Sequence, residues 1–96
     1  MFMSSVKSDI IYIGKKPLMT YVTSAIIQLA TMPIITIKAR GQSMGTAIDV
    51  TQIVLRKTKP AFSIADIKIG SESLVSSDGR NRDVSTIDIS IKRNNP

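Results

Sequence analysis

The sequence predicts an α+β domain of order β-α-β-α-β-β. This is a two-layer sandwich with a mixed four-stranded sheet, helices on one face, and an extended hairpin arm between the third and fourth strands. Three observations carry this reading. Sixteen Ile, six Val and eight Thr among 96 residues favour a strand-rich fold. Two segments nevertheless repeat apolar residues at steps of three and four, while the last third alternates at period two.

The first strand is read over residues 9–13, where Asp9-Ile10-Ile11-Tyr12-Ile13 is a short apolar run stopped by Gly14. Lys15-Lys16 follow, and Pro17 suits the first turn of a helix because its missing N–H has no intrahelical partner there. Leu18, Val22, Ala25, Ile26 and Leu29 form one stripe, so the helix spans 17 to about 31 and ends before Pro33. Residues 34–40, Ile-Ile-Thr-Ile-Lys-Ala-Arg, read as the second strand. After Gly41, Ser43 is the expected N-cap of a second helix carrying Ala47, Val50 and Val54, with Arg56-Lys57 at its negative end.

Pro60 marks a loop, and the pattern then changes. Ile67 and Ile69 alternate with Asp66 and Lys68, and Ile87, Ile89 and Ile91 alternate with Asp88, Ser90 and Lys92. Both read as half-buried strands. Residues 76–83 between them contain Asp78-Gly79, a strong turn signal, and no apolar side chain. The arm, residues 75–84, is therefore expected to project beyond the core. The whole chain, 1–96, reads as one domain, with 1–8 as a flexible tail.

Composition narrows the chemistry. The chain has no His and no Cys. This excludes zinc sites, imidazole bases, thiol nucleophiles and Ser-His-Asp triads, and it offers no disulfide. The acids are scattered rather than clustered, so neither a metal site, nor a cofactor, nor an enzymatic role is expected. The start does not read as a secretory signal, and no apolar run approaches a membrane span. A soluble, cytoplasmic protein is expected.

Thirteen Lys and Arg stand against seven Asp and Glu, a net charge of +6. Residues 1–60 hold eight bases and two acids, while 61–96 hold five of each. Such asymmetry fits a polyanion, and nucleic acid is the commonest partner of that kind. A solvated basic surface is the alternative.

Three basic segments are candidates. Lys15 and Lys16 sit between a strand end and a helix start, where phosphate is attracted. Two lysines in an ordinary charged connection are the competing explanation. Arg40-Gly41-Gln42-Ser43 lacks the Gly-Lys-Ser/Thr end of a phosphate loop, which rejects nucleotide hydrolysis. It leaves Arg40 at a strand end that shares an edge with Lys15-Lys16 if the first two strands are parallel. Arg80, Asn81 and Arg82 lie at the arm, where Arg can enter a minor groove, although Asp78 and Asp83 offset their charge. Tyr12 and Tyr21 read as packing residues, not as a base-stacking platform.

Several stretches together resemble the Alba family of small archaeal chromatin proteins. They are Ile13-Gly14-Lys15-Lys16-Pro17 with Met19 and Tyr21-Val22, Ile37-Lys38-Ala39-Arg40-Gly41, Ala47 with Asp49, Gly70-Ser71, Asp78-Gly79-Arg80, and Val84-Ser85-Thr86-Ile87. The resemblance implies a homodimer that binds double-stranded DNA with little sequence preference, compacting or coating it within the nucleoid. Higher-order assembly on DNA goes with this. RNA binding, as in a ribonucleoprotein subunit, is the alternative that the same family implies. Carried over, Lys15 and Lys16 are the principal phosphate contacts, and Lys15 matches a lysine whose acetylation weakens binding. Arg40 is a loop contact and Arg80 an arm contact, with Asn81 and Arg82 beside it. Gln42 and Gly45 stand where family members carry bases, and Asp83 stands where a base tends to precede Val-Ser-Thr.

Overall fold

The computed structural model describes residues 9–94, so the expected tail at 1–8 lies outside the described residues. The strand β1 (Ile10–Tyr12) runs parallel to β2 (Ile34–Arg40), joined through the helix α1 (Leu18–Leu29). A parallel pair needs such a crossover, so the connection and the pairing explain each other. The helix α2 (Ser43–Thr58) leads into two long antiparallel strands, β3 (Phe62–Val75) and β4 (Asn81–Arg93). The sheet order is β1-β2-β4-β3, with β4 antiparallel to both its neighbours. The expected α+β sandwich with a mixed four-stranded sheet is the observed architecture.

One face of the sheet supplies the core. Ile11, Ile35, Ile37, Ile87, Ile89 and Ile91 are buried there against Tyr21, Val22, Ala25 and Leu29 of α1 and Ala47, Val50 and Val54 of α2. Alternation in the strands and three-to-four spacing in the helices bring these residues onto facing surfaces. The buried Thr51 hydroxyl donates to the Ala47 carbonyl at 2.9 Å, which satisfies the polar group within its own helix. From β4, the Arg93 guanidinium donates to the Leu29 carbonyl at 2.8 Å and lies 4.9 Å from the Phe62 ring centroid. The cation thereby meets the negative end of α1 and ties the last strand to the first helix.

Three local expectations are corrected. Pro17 is the N-cap of α1 rather than its first helical residue; its carbonyl accepts from the Thr20 N–H at 3.0 Å. Ser43 is the first residue of α2 and not its cap. Gly41 turns the chain at φ +58°, a left-handed angle that suits glycine, and Gln42 already has helical angles as the N-cap.

The third correction concerns β3, which is not half-buried in this chain. Ile67 and Ile69 pair with Ile89 and Ile87 and so share the helix-side face, yet they are 51% and 81% exposed. The cause is position. β3 is the edge strand, and beyond Phe62, which packs against the core, the helices leave it uncovered. Past the Arg40–Thr86 pairing no third strand accompanies β3 and β4, which continue as a two-stranded ribbon to the Val75–Asn81 pair.

Candidate nucleic-acid interface

The carboxyl ends of β1 and β2 lie side by side because the strands are parallel. Both basic loops therefore leave the same end of the sheet. β4 is antiparallel to β2, so the arm leaves from that end as well. Topology thus gathers three segments that are distant in the sequence.

A buried tyrosine shapes the first loop. Tyr21, in the first turns of α1, accepts hydrogen bonds at its hydroxyl from the backbone N–H of Gly14 at 2.8 Å and of Lys16 at 2.9 Å. Its ring belongs to the core, so the loop is held from beneath. Lys15 and Lys16 are exposed, and among the described residues no carboxylate pairs with either ammonium. Two unneutralised cations beside a helix start produce a locally positive potential.

The second loop is fixed by Gly41, whose N–H donates to the Ser85 carbonyl at 2.9 Å and whose carbonyl accepts from Met44 at 3.1 Å. Arg40 precedes it on the sheet face away from the helices, where its Nη1 lies 3.3 Å from the Glu72 Oε1. Both side chains are more than half exposed. On the same face, Lys38 Nζ lies 3.1 Å from Asp88 Oδ2. Gln42 is exposed and adds no charge to the loop.

At the arm tip, Ser76 Oγ donates to the Asp78 carboxylate, and the Arg80 N–H donates to it at 3.1 Å. These bonds, the serine hydroxyl first, lower the Asp78 pKa from its ordinary value. Gly79 turns the chain at φ +83°. Arg80 Nε is 3.8 Å from Asp78 Oδ2. Register separates the next two side chains. Arg82 pairs with Leu74 and falls on the face that carries Arg40, whereas Asn81 and Asp83 pair with Val75 and Ser73 on the opposite face.

Lys15, Lys16, Arg40 and Gln42 thus stand at one end of the sheet, and Arg80, Asn81 and Arg82 on the ribbon that extends from it. Sequence reasoning missed Glu72 and Asp88 as partners of the cations, because those pairs form across strands about 30 to 50 positions apart. It also misread Tyr12. That ring is 71% exposed and does not pack in the core, because its cross-strand partner is Lys38 on the open face. Strict alternation from buried Ile11 and Ile13 was the signal for its direction.

The class of protein is thus a small two-layer α+β domain with the exposed Lys15 and Lys16 at one sheet end and a ribbon projecting from that end. The Alba family model matches residues 9–71, and the chain belongs to the Alba family. It is 63% identical over 93 residues to the DNA/RNA-binding protein Alba of Nitrosopumilus maritimus (strain SCM1), covering 96% of this chain and 98% of that one. Among solved structures it resembles Alba from Thermoplasma volcanium with a TM-score of 0.82 and 36% identity, over 88% of this chain and 99% of that one. It also shares its fold with ALBA1 from Trypanosoma brucei, with a TM-score of 0.72, 14% identity, and coverage of 88% and 68%.

Proposed function

We propose that this protein binds double-stranded DNA with little sequence preference and, as a homodimer, coats or compacts the chromosome. The observation that carries the reading is the convergence of Lys15, Lys16 and Arg40 with the ribbon bearing Arg80 and Arg82 at one end of the sheet. Lysine and arginine without a patterned set of base-reading groups contact phosphates, which fixes position but reads no sequence. Lys15 and Lys16 are the principal contacts, and Arg40 with Gln42 flanks them. Arg80, Asn81 and Arg82 reach the adjoining groove, where a narrow minor groove attracts arginine. Acetylation of Lys15 removes one of the two unpaired charges and weakens binding.

The uncovered edge supports the dimer. Ile64, Ile67 and Ile69 of β3 and Ile48 of α2 are all exposed, at 38–81%. Burying an isoleucine fully is worth about 1.5–3 kcal/mol, so a second copy covering this face gains a stable contact. Two copies double the basic surface and present two arms to one duplex.

RNA is the second reading, supported by the name of the Nitrosopumilus relative, which places both nucleic acids on that protein. Competition between equal lengths of duplex DNA and structured RNA at matched salt separates them. Duplex DNA is expected to displace RNA; displacement in the other direction moves the protein to the ribonucleoprotein role.

A further inference from the structure

The phosphate-binding surface leaves one feature of the open sheet face unused. Tyr12 is the one exposed aromatic residue among the described residues, for Tyr21 is buried and Phe62 is half-buried. Beside it runs a groove of about 460 Å³ whose polar lining comes from Lys38, Arg40, Glu72, Thr86 and Asp88. That size falls in the range of roughly 300–1,000 Å³ that accommodates small organic groups.

The charges in this groove cancel. Lys38 is matched by Asp88 at 3.1 Å and Arg40 by Glu72 at 3.3 Å, so two cations face two carboxylates. Held in these pairs, Lys38 and Arg40 pull less on a phosphate than the unpaired Lys15 and Lys16 nearby. The groove offers carboxylate acceptors, ammonium and guanidinium donors, a Thr86 hydroxyl of either sense, and the flat apolar face of a phenol ring. The group that matches all of these is planar, neutral and heteroaromatic, with amino donors and carbonyl acceptors around its edge. Carboxylates accept from exocyclic amino groups of bases, and Lys or Arg donates to base carbonyls and ring nitrogens.

We propose that the groove is a site for one unpaired nucleobase of a single strand, DNA or RNA, stacked on Tyr12 with its polar edge toward Asp88, Glu72 and Thr86. This deepens the nucleic-acid reading and rests on it. A paired base in an intact duplex has both faces stacked and its edge engaged, so a blunt duplex does not use the site. Because Tyr12 is a single ring, each copy holds one base and not a run of bases. The groove adjoins Arg40 at the basic end of the sheet, so the strand that supplies the base continues over Lys15 and Lys16.

Binding of labelled 12-nucleotide single strands, in DNA and RNA forms, is compared with binding of the same strands lacking all bases and of a blunt duplex. The proteins are the intact chain, Tyr12→Ala, Tyr12→Leu and Tyr12→Phe. Losing one base–aromatic stack weakens binding by about 5- to 150-fold, so Tyr12→Ala and Tyr12→Leu are expected to lose that much on both single strands. Tyr12→Phe stays within about twofold of the intact chain, a base-free strand gains nothing from Tyr12, and all four proteins bind the duplex equally. Single-strand affinity unchanged in Tyr12→Ala overturns the proposal, as does an equal loss on strand and duplex. If the intact chain binds the duplex but no single strand, this site alone fails; if it binds neither, the broader reading fails with it.

Discussion

The Tyr21 hydroxyl accepts the backbone N–H groups of both Gly14 and Lys16, at 2.8 and 2.9 Å, so one core residue sets the shape of the loop that carries the two unpaired lysines. The ring is 5% exposed and cannot leave without opening the core. Loop order is thus coupled to the packing of α1 on the sheet.

Removing that oxygen tests the coupling. Tyr21→Phe keeps the ring but strips two N–H groups of their partner, at a cost of about 1–3 kcal/mol in total. Duplex affinity is expected to fall by about three- to tenfold, on the order of 1 kcal/mol. In a Lys15→Ala/Lys16→Ala background the same change is expected to have no further effect on affinity. A double-mutant cycle by fluorescence anisotropy measures this, and an equal loss in both backgrounds refutes the loop-positioning role.

The uncovered β3 edge makes the dimer testable without touching the basic end. Ile69 is 81% exposed in the single chain, so Ile69→Asp costs the monomer fold little. In the proposed dimer it would bury a charge, which is strongly unfavourable. Sedimentation is expected to shift from a two-chain mass to 10.5 kDa. Duplex affinity is expected to drop by about a hundredfold as the second set of contacts is lost. A variant that stays dimeric places the interface elsewhere.

On the proposed reading, Glu72 competes with phosphate for Arg40. Their pair is 3.3 Å long and exposed on both sides, so it adds about 0–1 kcal/mol to stability. Glu72→Gln is therefore expected to leave the melting temperature nearly unchanged. The freed guanidinium raises duplex affinity by about two- to fivefold, a gain of the size such a pair holds back. Titrations at one salt concentration check this, and a loss of affinity contradicts the assignment of Arg40 as a contact.

Much of the architecture was legible because its signals are local. Pro17, Pro33 and Pro60, the two glycine turns and the change from helical to alternating period marked the elements, and the β-α-β order implied the parallel β1–β2 pair. What escaped depends on what lies beside a strand. Ile67 and Ile69 alternate as well as Ile87 and Ile89 do, and only the reach of the helices decides which pair is covered. Tyr12 likewise looked like core material in an apolar run, although its parity with Lys38 turns it to the open face. The cap of α2 was misplaced because a left-handed Gly41 starts the helix without a side-chain cap. The cations of the site were visible as charges in the sequence, but their neutralisation by Glu72 and Asp88 required strand register.

The central claim is that Lys15 and Lys16 carry phosphate contacts on duplex DNA, and its most direct test is a salt series of duplex affinity for the intact chain and Lys15→Ala/Lys16→Ala. Each neutralised phosphate contributes about 0.9 to the slope of log affinity against log salt. Four lysines in a dimer are therefore expected to flatten that slope by about 3 to 4 units in the variant. A variant with the slope and affinity of the intact chain would contradict the account, because the loop that Tyr21 organises would then play no part in binding.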